Sequence, residues 1–449
     1  MRYHARWVLP ITQPPIENGT VAEQDGRITY VGRRADAPAG DDHELGEAIL
    51  LPGLVNTHTH LELTAMRGFL EDLDFADWID KLRQSRNDIF DPIKFLDSAK
   101  LGIIEGLEAG VTTYADTCSS GVVLDAMKQL GVRGIMYQET FGPNPVDCDT
   151  VIRALNELLD ALQPQQTELA TLGVSPHAPY TVSDALYAAA AKLAMKRKLP
   201  LAMHIAESAE EEAIVVRGEG PFGDRWRKRG FEVKKRARSP VALLEKQDVL
   251  QPGALLIHCV RVNDEDITTI ARRGCSVAHC PASNAKFGHG VAPLLPMIAA
   301  GIPVGIGSDS VASNNRMDIL DEARLAVLIH RGATRKHDAF GAHQALALAT
   351  LGGARALGLD DKIGSLEVGK DADLAAFRVD IARTTPPGDP YSVAIFALPG
   401  RSAELVTVRG KVLVERGKVH AADPALAKRV GKVGAALAEW SARQAAPSV

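Results

Sequence analysis

Between residues 49 and 310, short apolar runs rich in β-branched residues alternate with amphipathic stretches of helical period, and this rhythm restricts the fold more than any other feature. The runs are ILLPGLVNTHTH, VTTYADT from Val111, RGIMYQET from Arg133, LATLGVSPH from Leu169, PLAMHIAE from Pro200, ALLIHCV from Ala254, SVAHCP from Ser276 and PVGIGSDS from Pro303. Between them, stretches such as PIKFLDSAKLGIIEGLEAG and SDALYAAAAKLAMKRK place apolar residues at three- and four-residue steps, as helices packed by one face on a sheet do. Repeated strand-helix units imply an α/β protein with a parallel sheet. Eight of them predict a (β/α)8 TIM barrel over residues 51–359, and the doubly wound alternative lacks a glycine-rich fingerprint after its first strand.

The two ends of the chain have a different texture. RYHARWVLPI and RITYVG near the start, and DADLAAFRV and ELVTVRGKVLVERGKVH near the end, are short strand-like runs with turn signals and no helices between them. Residues 1–50 and 360–425 are therefore expected to build one small β-sandwich beside the barrel. The tail, residues 426–449, has the spacing of a surface helix.

In a barrel, functional groups gather at the carboxyl ends of the strands. The first run ends in His58 and His60, which share one side of an extended chain because side chains alternate with period two. Strand four ends in His177, strand five in His204 with Glu207 beyond, strand six in His258, strand seven in His279 and strand eight in Asp309. Six of the 13 histidines thus fall on one rim. Nitrogen donors with a carboxylate suit zinc foremost, with ferrous iron or manganese as alternatives, and do not suit calcium or magnesium. The expected ligands are His58, His60, His204 and Asp309, with water completing the set. Such a site lowers the pKa of the water from about 15.7 toward about 7 and makes a hydroxide nucleophile near neutral pH.

Composition removes other classes. A net charge of −5 on 449 residues gives no sign of nucleic acid or an acidic membrane as partner. The start lacks a signal-peptide core, and no apolar run has the length of a membrane span, so a cytoplasmic protein acting on a small molecule is expected. Self-association into a homo-oligomer stays open. The five cysteines form no Cys-x-x-Cys pair, which argues for buried reduced thiols and against disulfides or a thiolate zinc site.

HTH at 58–60, SPHAPY from Ser175, HIAE from His204, HC at 258–259, HCPASN from His279, GSDSVASNNRMD from Gly307 and LEVGKDADL from Leu366 together resemble the amidohydrolase superfamily. Within it they are similar to the subgroup of nucleoside and nucleobase deaminases and chlorohydrolases. The resemblance implies metal ligation by His58, His60, His204 and Asp309, proton transfer by Glu207, and a His258 that holds the hydrolytic water or the tetrahedral intermediate. Related two-metal hydrolases bridge their ions with a lysine at the end of strand four. TLGVSPHAPY offers none, so one metal per chain is expected. Chemically, attack on a ring carbon bearing an amine requires a proton at the ring nitrogen and another on the leaving ammonia. Glu207 is placed to carry the first, and Asp309 can accept the second water proton.

The implied activity is deamination of an adenine-type nucleoside, in the manner of aminodeoxyfutalosine or methylthioadenosine/S-adenosylhomocysteine deaminases. A guanine or triazine deaminase or a chlorohydrolase is the alternative, and a metal-binding scaffold relic is opposed by the presence of Glu207 and His258. Met66, Phe69, Phe75 and Trp78 in the loop after strand one offer apolar cover for a flat ring. His177 and His279 are candidate substrate contacts, whereas Asn284 and Asn314 read as loop-bracing amides. The Trp-Ile-x-x-Leu-x-x-x-Arg segment from Trp78, with His-Leu-Glu at 60–62, resembles the aminodeoxyfutalosine type. The methylthioadenosine type would carry a ribose-binding glutamate where this helix has none. Residues 217–240 hold nine basic residues against three acidic ones, either a solvated face or a cationic collar for a substrate carboxylate.

Overall fold

The computed structural model describes residues 1–445. Four strands open the chain: β1 (Arg2–Val8), β2 (Ile16–Gln24), β3 (Arg27–Arg33) and β4 (Asp42–Pro52). Eight more alternate with helices: β5 (Leu54–Thr59), β6 (Val111–Cys118), β7 (Arg133–Thr140), β8 (Ala170–Pro176), β9 (Ala202–Ile205), β10 (Leu255–His258), β11 (Ser276–His279) and β12 (Val304–Ile306). The last are β13 (Leu374–Arg378), β14 (Leu405–Val408), β15 (Lys411–Glu415) and β16 (Lys418–Val419).

Strands β5 to β8 pair in order as one parallel sheet and β9 to β12 as another. Parallel bridges join them at both seams, Val174 to Leu201 on one side and Thr59 to Asp309 on the other. The His204 amide donates to the His177 carbonyl at 2.9 Å and the Asp309 amide to the His58 carbonyl at 2.9 Å. This is a parallel α/β architecture of the TIM-barrel type. Every residue of β6 and β7 is buried, as expected of parallel strands covered on both faces. The helices begin where the sequence places caps. Asp91 accepts from the Lys94 amide ahead of Pro92–Glu108, and Ser183 accepts from the Leu186 amide ahead of Asp184–Arg197.

One expected strand proves to be two. ILLPGLVNTHTH divides at Gly53, where a Cβ would lie 2.2 Å from the Thr112 hydroxyl oxygen, so β4 ends in the terminal sheet and β5 begins the parallel one. The strands of both chain ends form a single eight-stranded sheet in the order β16-β15-β14-β13-β4-β1-β2-β3. That sheet curls until the start of β3 meets the segment before β13. The Ile28 amide donates to the Lys370 carbonyl at 2.8 Å and the Ala372 amide to the Gly26 carbonyl at 2.9 Å. Tyr3, Val21, Ile28, Leu50, Leu374 and Leu405 fill the space the curl encloses. Contrary to the sequence expectation, a helix, Pro390–Phe396, lies between β13 and β14. Residues Leu426–Ala445 are helical, but the helix docks rather than floats. Leu437 is fully buried, Arg429 forks onto Asp97 at 2.7 and 2.8 Å, and the Trp440 indole donates to Asp88 at 2.8 Å. All five cysteines are free, four of them buried, as their spacing implied. Among the described residues no helix is long and apolar enough to cross a membrane.

A buried ion cluster ties the terminal sheet to the parallel one. Arg133, at the start of β7, lies 2.9 Å from Asp373 and 2.8 Å from Asp371, and all three side chains are about 95% shielded. Arg27 also approaches Asp371, at 3.4 Å, but Asp373 depends on the Arg133 guanidinium, whose removal would leave a buried charge unpaired. Arg133→Met should therefore lower unfolding stability by about 3 to 5 kcal/mol, read from the urea midpoint. Adding Asp371→Asn and Asp373→Asn should recover part of that loss. An unchanged midpoint in the single variant would show that the cluster holds nothing together.

Candidate active site

Three places on the rim turn their side chains inward by leaving regular strand geometry. Ala206, just past β9, His258 and Cys259 at the end of β10, and Asp309, just past β12, all have φ between 47° and 74°. Such a backbone costs roughly 1–3 kcal/mol per residue and persists only where surrounding contacts enforce it. Here they do. The Glu211 carboxyl accepts from the Ala206 amide at 2.7 Å and the Glu207 amide at 2.9 Å, and the Cys259 amide donates to the Ile205 carbonyl at 3.1 Å.

The result is a pole of converging donors. His58 Nε2 lies 3.1 Å from Asp309 Oδ1, His60 Nε2 lies 3.6 Å from the same oxygen, and His60 Nε2 faces His204 Nε2 at 3.2 Å. Ligand atoms of His58, His60 and His204 lie within 4.8 Å of one another, as do those of His58, His258 and Asp309. The chemistry of the set fits a cation. A carbonyl can only accept, so the 3.2 Å contact of His204 Nδ1 with the His177 carbonyl places the proton on Nδ1 and leaves Nε2 a bare lone pair. Burial lowers His60 to about 4 and holds His204 well below the ordinary imidazole range, so near neutral pH neither is charged. The Asp309 carboxyl, which burial alone would raise, is held well below its usual range by His58. Its other oxygen accepts from Ser283 at 2.5 Å and Ser313 at 3.0 Å.

Beside the pole, Glu207 Oε1 stands 3.5 Å from His258 Nε2 and 3.7 Å from His289 Nε2. Burial opposes its charge, but these imidazoles outweigh burial and the net shift is downward. Asn284, read from sequence as a loop brace, accepts from His258 Nδ1 at 2.9 Å and so orients that ring. Asn314 is the brace expected, bonded to Glu322 at 2.8 Å and to the Ser308 carbonyl.

The pole opens into a cavity of about 300 Å³, at the small end of ligand pockets. Of the expected contacts, His177 and Trp78 line it, with Phe75. Phe75 is the hub of an aromatic wall, with ring centroids 5.1 Å from Phe287, 5.9 Å from Tyr180 and 4.8 Å from His289. Met66, Phe69 and His279 do not reach the cavity. Met66 is wholly buried in the core, Phe69 packs on Trp440, and His279 Nε2 meets His330 Nε2 at 3.4 Å in the helix layer. Glu62, Arg86 and Tyr180, which the sequence showed only as parts of motifs and without a role, stand on the cavity wall, as does Glu139, which sequence reasoning missed. Glu62 is paired with Arg86 at 3.0 Å and accepts from the Ser119 and Ser120 amides. Glu139 is the last residue but one of the run RGIMYQET, close to the strand-end signal that exposed the histidines. Burial, with Glu62 adding to it, pushes its carboxyl up to about 8.

Residues 49–413 match the Amidohydrolase family, and the chain belongs to it. A 5-methylthioadenosine/S-adenosylhomocysteine deaminase of Moorella thermoacetica is 34% identical over 422 residues, covering 93% of this chain and 94% of that one. An adenosine deaminase from Xanthomonas campestris with bound zinc has a TM-score of 0.86 at 29% identity, covering 98% of both chains. Atrazine chlorohydrolase from Arthrobacter aurescens TC1, complexed with zinc, has a TM-score of 0.82 at 27% identity, covering 97% of this chain and 99% of that one. The chain is thus an enzyme of the class that hydrolyses C–N bonds.

The basic segment takes the first of its two readings. Its helix, Gly220–Lys228, turns Phe222 and Trp226 inward, while Arg227, Lys228 and Arg229 are exposed. Arg225 is spent on Asp80 at 2.8 Å and the Ala76 carbonyl at 2.8 Å, and Arg236 on Asp184 at 2.6 Å. Among the described residues, no cation of 217–240 lines the cavity, whose lining arginines are Arg83 and Arg86. Replacing Arg227, Lys228 and Arg229 together with Ser should leave KM within about two-fold for anionic and neutral substrates alike, as for surface changes generally. A selective rise in KM for a carboxylated substrate would restore the collar.

Proposed function

We propose that this chain is a hydrolytic deaminase that replaces the exocyclic amine of an adenine-type nucleoside and releases ammonia. The observation that carries the reading is Glu207, a buried carboxyl between two imidazoles at the edge of a convergent His/Asp pole, open to an aromatic slot. The deaminase names of the Moorella and Xanthomonas relatives agree with it. On this reading residues 51–359 close as a (β/α)8 barrel through the two seam bridges, and the curled sheet is the small β-sandwich beside it.

His58, His60, His204 and Asp309 would hold one divalent transition metal, zinc foremost. When bound, the metal supplies acidity to a coordinated water and charge to stabilise what forms from it. The chain's own groups do the rest. Phe75, Trp78 and Phe287 clamp the ring and exclude water. Glu207 takes one proton from the attacking water and delivers it to the ring nitrogen as the neighbouring carbon becomes tetrahedral. His258, held by Asn284, hydrogen-bonds the oxygen being added. Asp309 accepts the second water proton, which leaves with the amine as ammonia. Both protons and the oxygen of one water are thereby accounted for.

Elemental analysis should return one metal ion per active chain, and His204→Ala should lose metal and activity together. Two ions per active chain would overturn the single-metal assignment. Glu207→Gln should keep the metal yet turn over about 10²- to 10⁴-fold more slowly, with ammonia release as the readout. Normal turnover in the metal-loaded variant removes Glu207 from the mechanism.

A further inference from the structure

No step of the proposed chemistry uses His289, although the fold places its ring beside Glu207. The residue lies in the loop that follows helix Pro281–Lys286, between Gly288 with φ 68° and Gly290 with φ 111°, conformations open chiefly to glycine. Its amide donates to the Asn284 carbonyl at 3.0 Å, so Asn284 positions both imidazoles that face Glu207, His258 through its side chain and His289 through its backbone. The His289 ring stacks on Phe287, with centroids 5.1 Å apart and planes 22° from parallel, and meets Phe75 edge to face at 4.8 Å. The side chain is 4% exposed, and Nε2, 3.7 Å from Glu207 Oε1, is enclosed with no hydrogen-bond partner among the described residues. A buried ring nitrogen left in that state is costly. Contacts of this length between catalytic groups commonly tighten once substrate is bound.

The position of one proton decides which imidazole can hold the carboxylate. His258 Nδ1 donates to the Asn284 side-chain oxygen at 2.9 Å, so a neutral His258 turns a bare Nε2 toward Glu207 Oε1, 3.5 Å away. It could donate to the carboxylate only with a second proton, and in the proposed reaction that edge serves the oxygen being added. His289 is under no such constraint: with its proton on Nε2 it donates while neutral. We propose that His289 is a positioning residue, its Nε2–H holding Glu207 Oε1 so that Oε2 carries the proton from water to the ring nitrogen. In both imidazole contacts Oε1 is the nearer oxygen, which leaves the other to the cavity that Glu207 lines. The inference rests on the deaminase reading and adds to it a residue that acts through Glu207.

The test compares metal-loaded variants for ammonia release from adenosine and 5′-methylthioadenosine. His289→Phe keeps the aromatic packing and removes the donor. His289→Asn puts an amide nitrogen where Nδ1 stands, short of Glu207, and His289→Gln puts one where Nε2 stands. His289→Phe and His289→Asn should lower kcat by about 10- to 100-fold, the usual worth of a hydrogen bond to a charged group, with KM within about two-fold. Metal content and the unfolding midpoint should match the native enzyme. His289→Gln should recover most of the lost kcat. In a Glu207→Gln background His289→Phe should lower kcat little further, because the group it positions is gone. If the Phe variant does not fold, Asn and Gln, alike in polarity and different in reach, decide the matter between them. Equal kcat in the Asn and Gln variants, a loss carried by KM, or losses that multiply in the double variant would overturn the inference while leaving deamination by Glu207 intact. A metal-loaded native enzyme that releases ammonia from neither nucleoside overturns the deaminase reading and the inference with it.

Discussion

Two imidazole nitrogens, His60 Nε2 and His204 Nε2, face each other across 3.2 Å and set the terms for the rest of this rim. His204 cannot shift its proton to relieve the contact, because Nδ1 is committed to the His177 carbonyl. Protonating either ring is opposed by burial and by the neighbouring imidazoles. Both rings are therefore neutral, the state in which the proposed divalent cation would be held by their nitrogens. The surrounding hydrogen bonds follow from that requirement. Thr117 meets His60 Nδ1 at 3.2 Å, Asn284 meets His258 Nδ1 at 2.9 Å, and the serines hold Asp309, so His60, His204, His258 and Asp309 are each oriented from behind.

The strained backbone on the rim belongs to the same logic. A regular strand end alternates its side chains between the barrel interior and the helix layer, which would waste half of the last residues. His258 and His279 make the contrast within one sheet, because β10 and β11 are neighbours with Ile257 opposite Ala278. His258 leaves its strand with φ 74° and reaches the cavity, whereas His279 remains in extended geometry and packs on His330. Glu211 shows how such strain is held. It sits in the first turn of helix Ala209–Val216 and reaches back to both amides at the β9 bend, so the helix start and Glu207 are fixed by one carboxyl.

What could be read without coordinates was whatever depends on period and position along an element. Eight alternations located the parallel strands, and strand ends located His58, His60, His177, His204, His258 and Asp309 on one rim. What depends on the third dimension was illegible. ILLPGLV looks like one strand because nothing in its pattern records the Thr112 side chain pressed against Gly53. Met66 and Trp78 are equally apolar, yet one enters the core and the other the cavity, a distinction made by helix Phe75–Ile89 lying across the mouth. The basic segment was legible as charge but not as partners, since Asp80 and Asp184 lie far away in the chain. Glu139 was within reach of the strand-end argument, which attended to histidines and passed over a carboxyl in the same place.

Division of labour within the cavity explains how similar architectures can serve different substrates. The relatives include enzymes named for deaminating nucleosides and one named for removing chloride from a triazine. Activated water and a proton carrier serve any electrophilic ring carbon, so groups that touch the reacting atom discriminate poorly between such substrates. Selection must come from the wall that meets the rest of the molecule. In this chain that wall is built from helix Phe75–Ile89, which brings Arg83, Arg86 and Asn87 to the cavity. This helix is separate from β9, β10 and β12, which end at the pole, so the selective wall can change in sequence while the reactive geometry stays as it is.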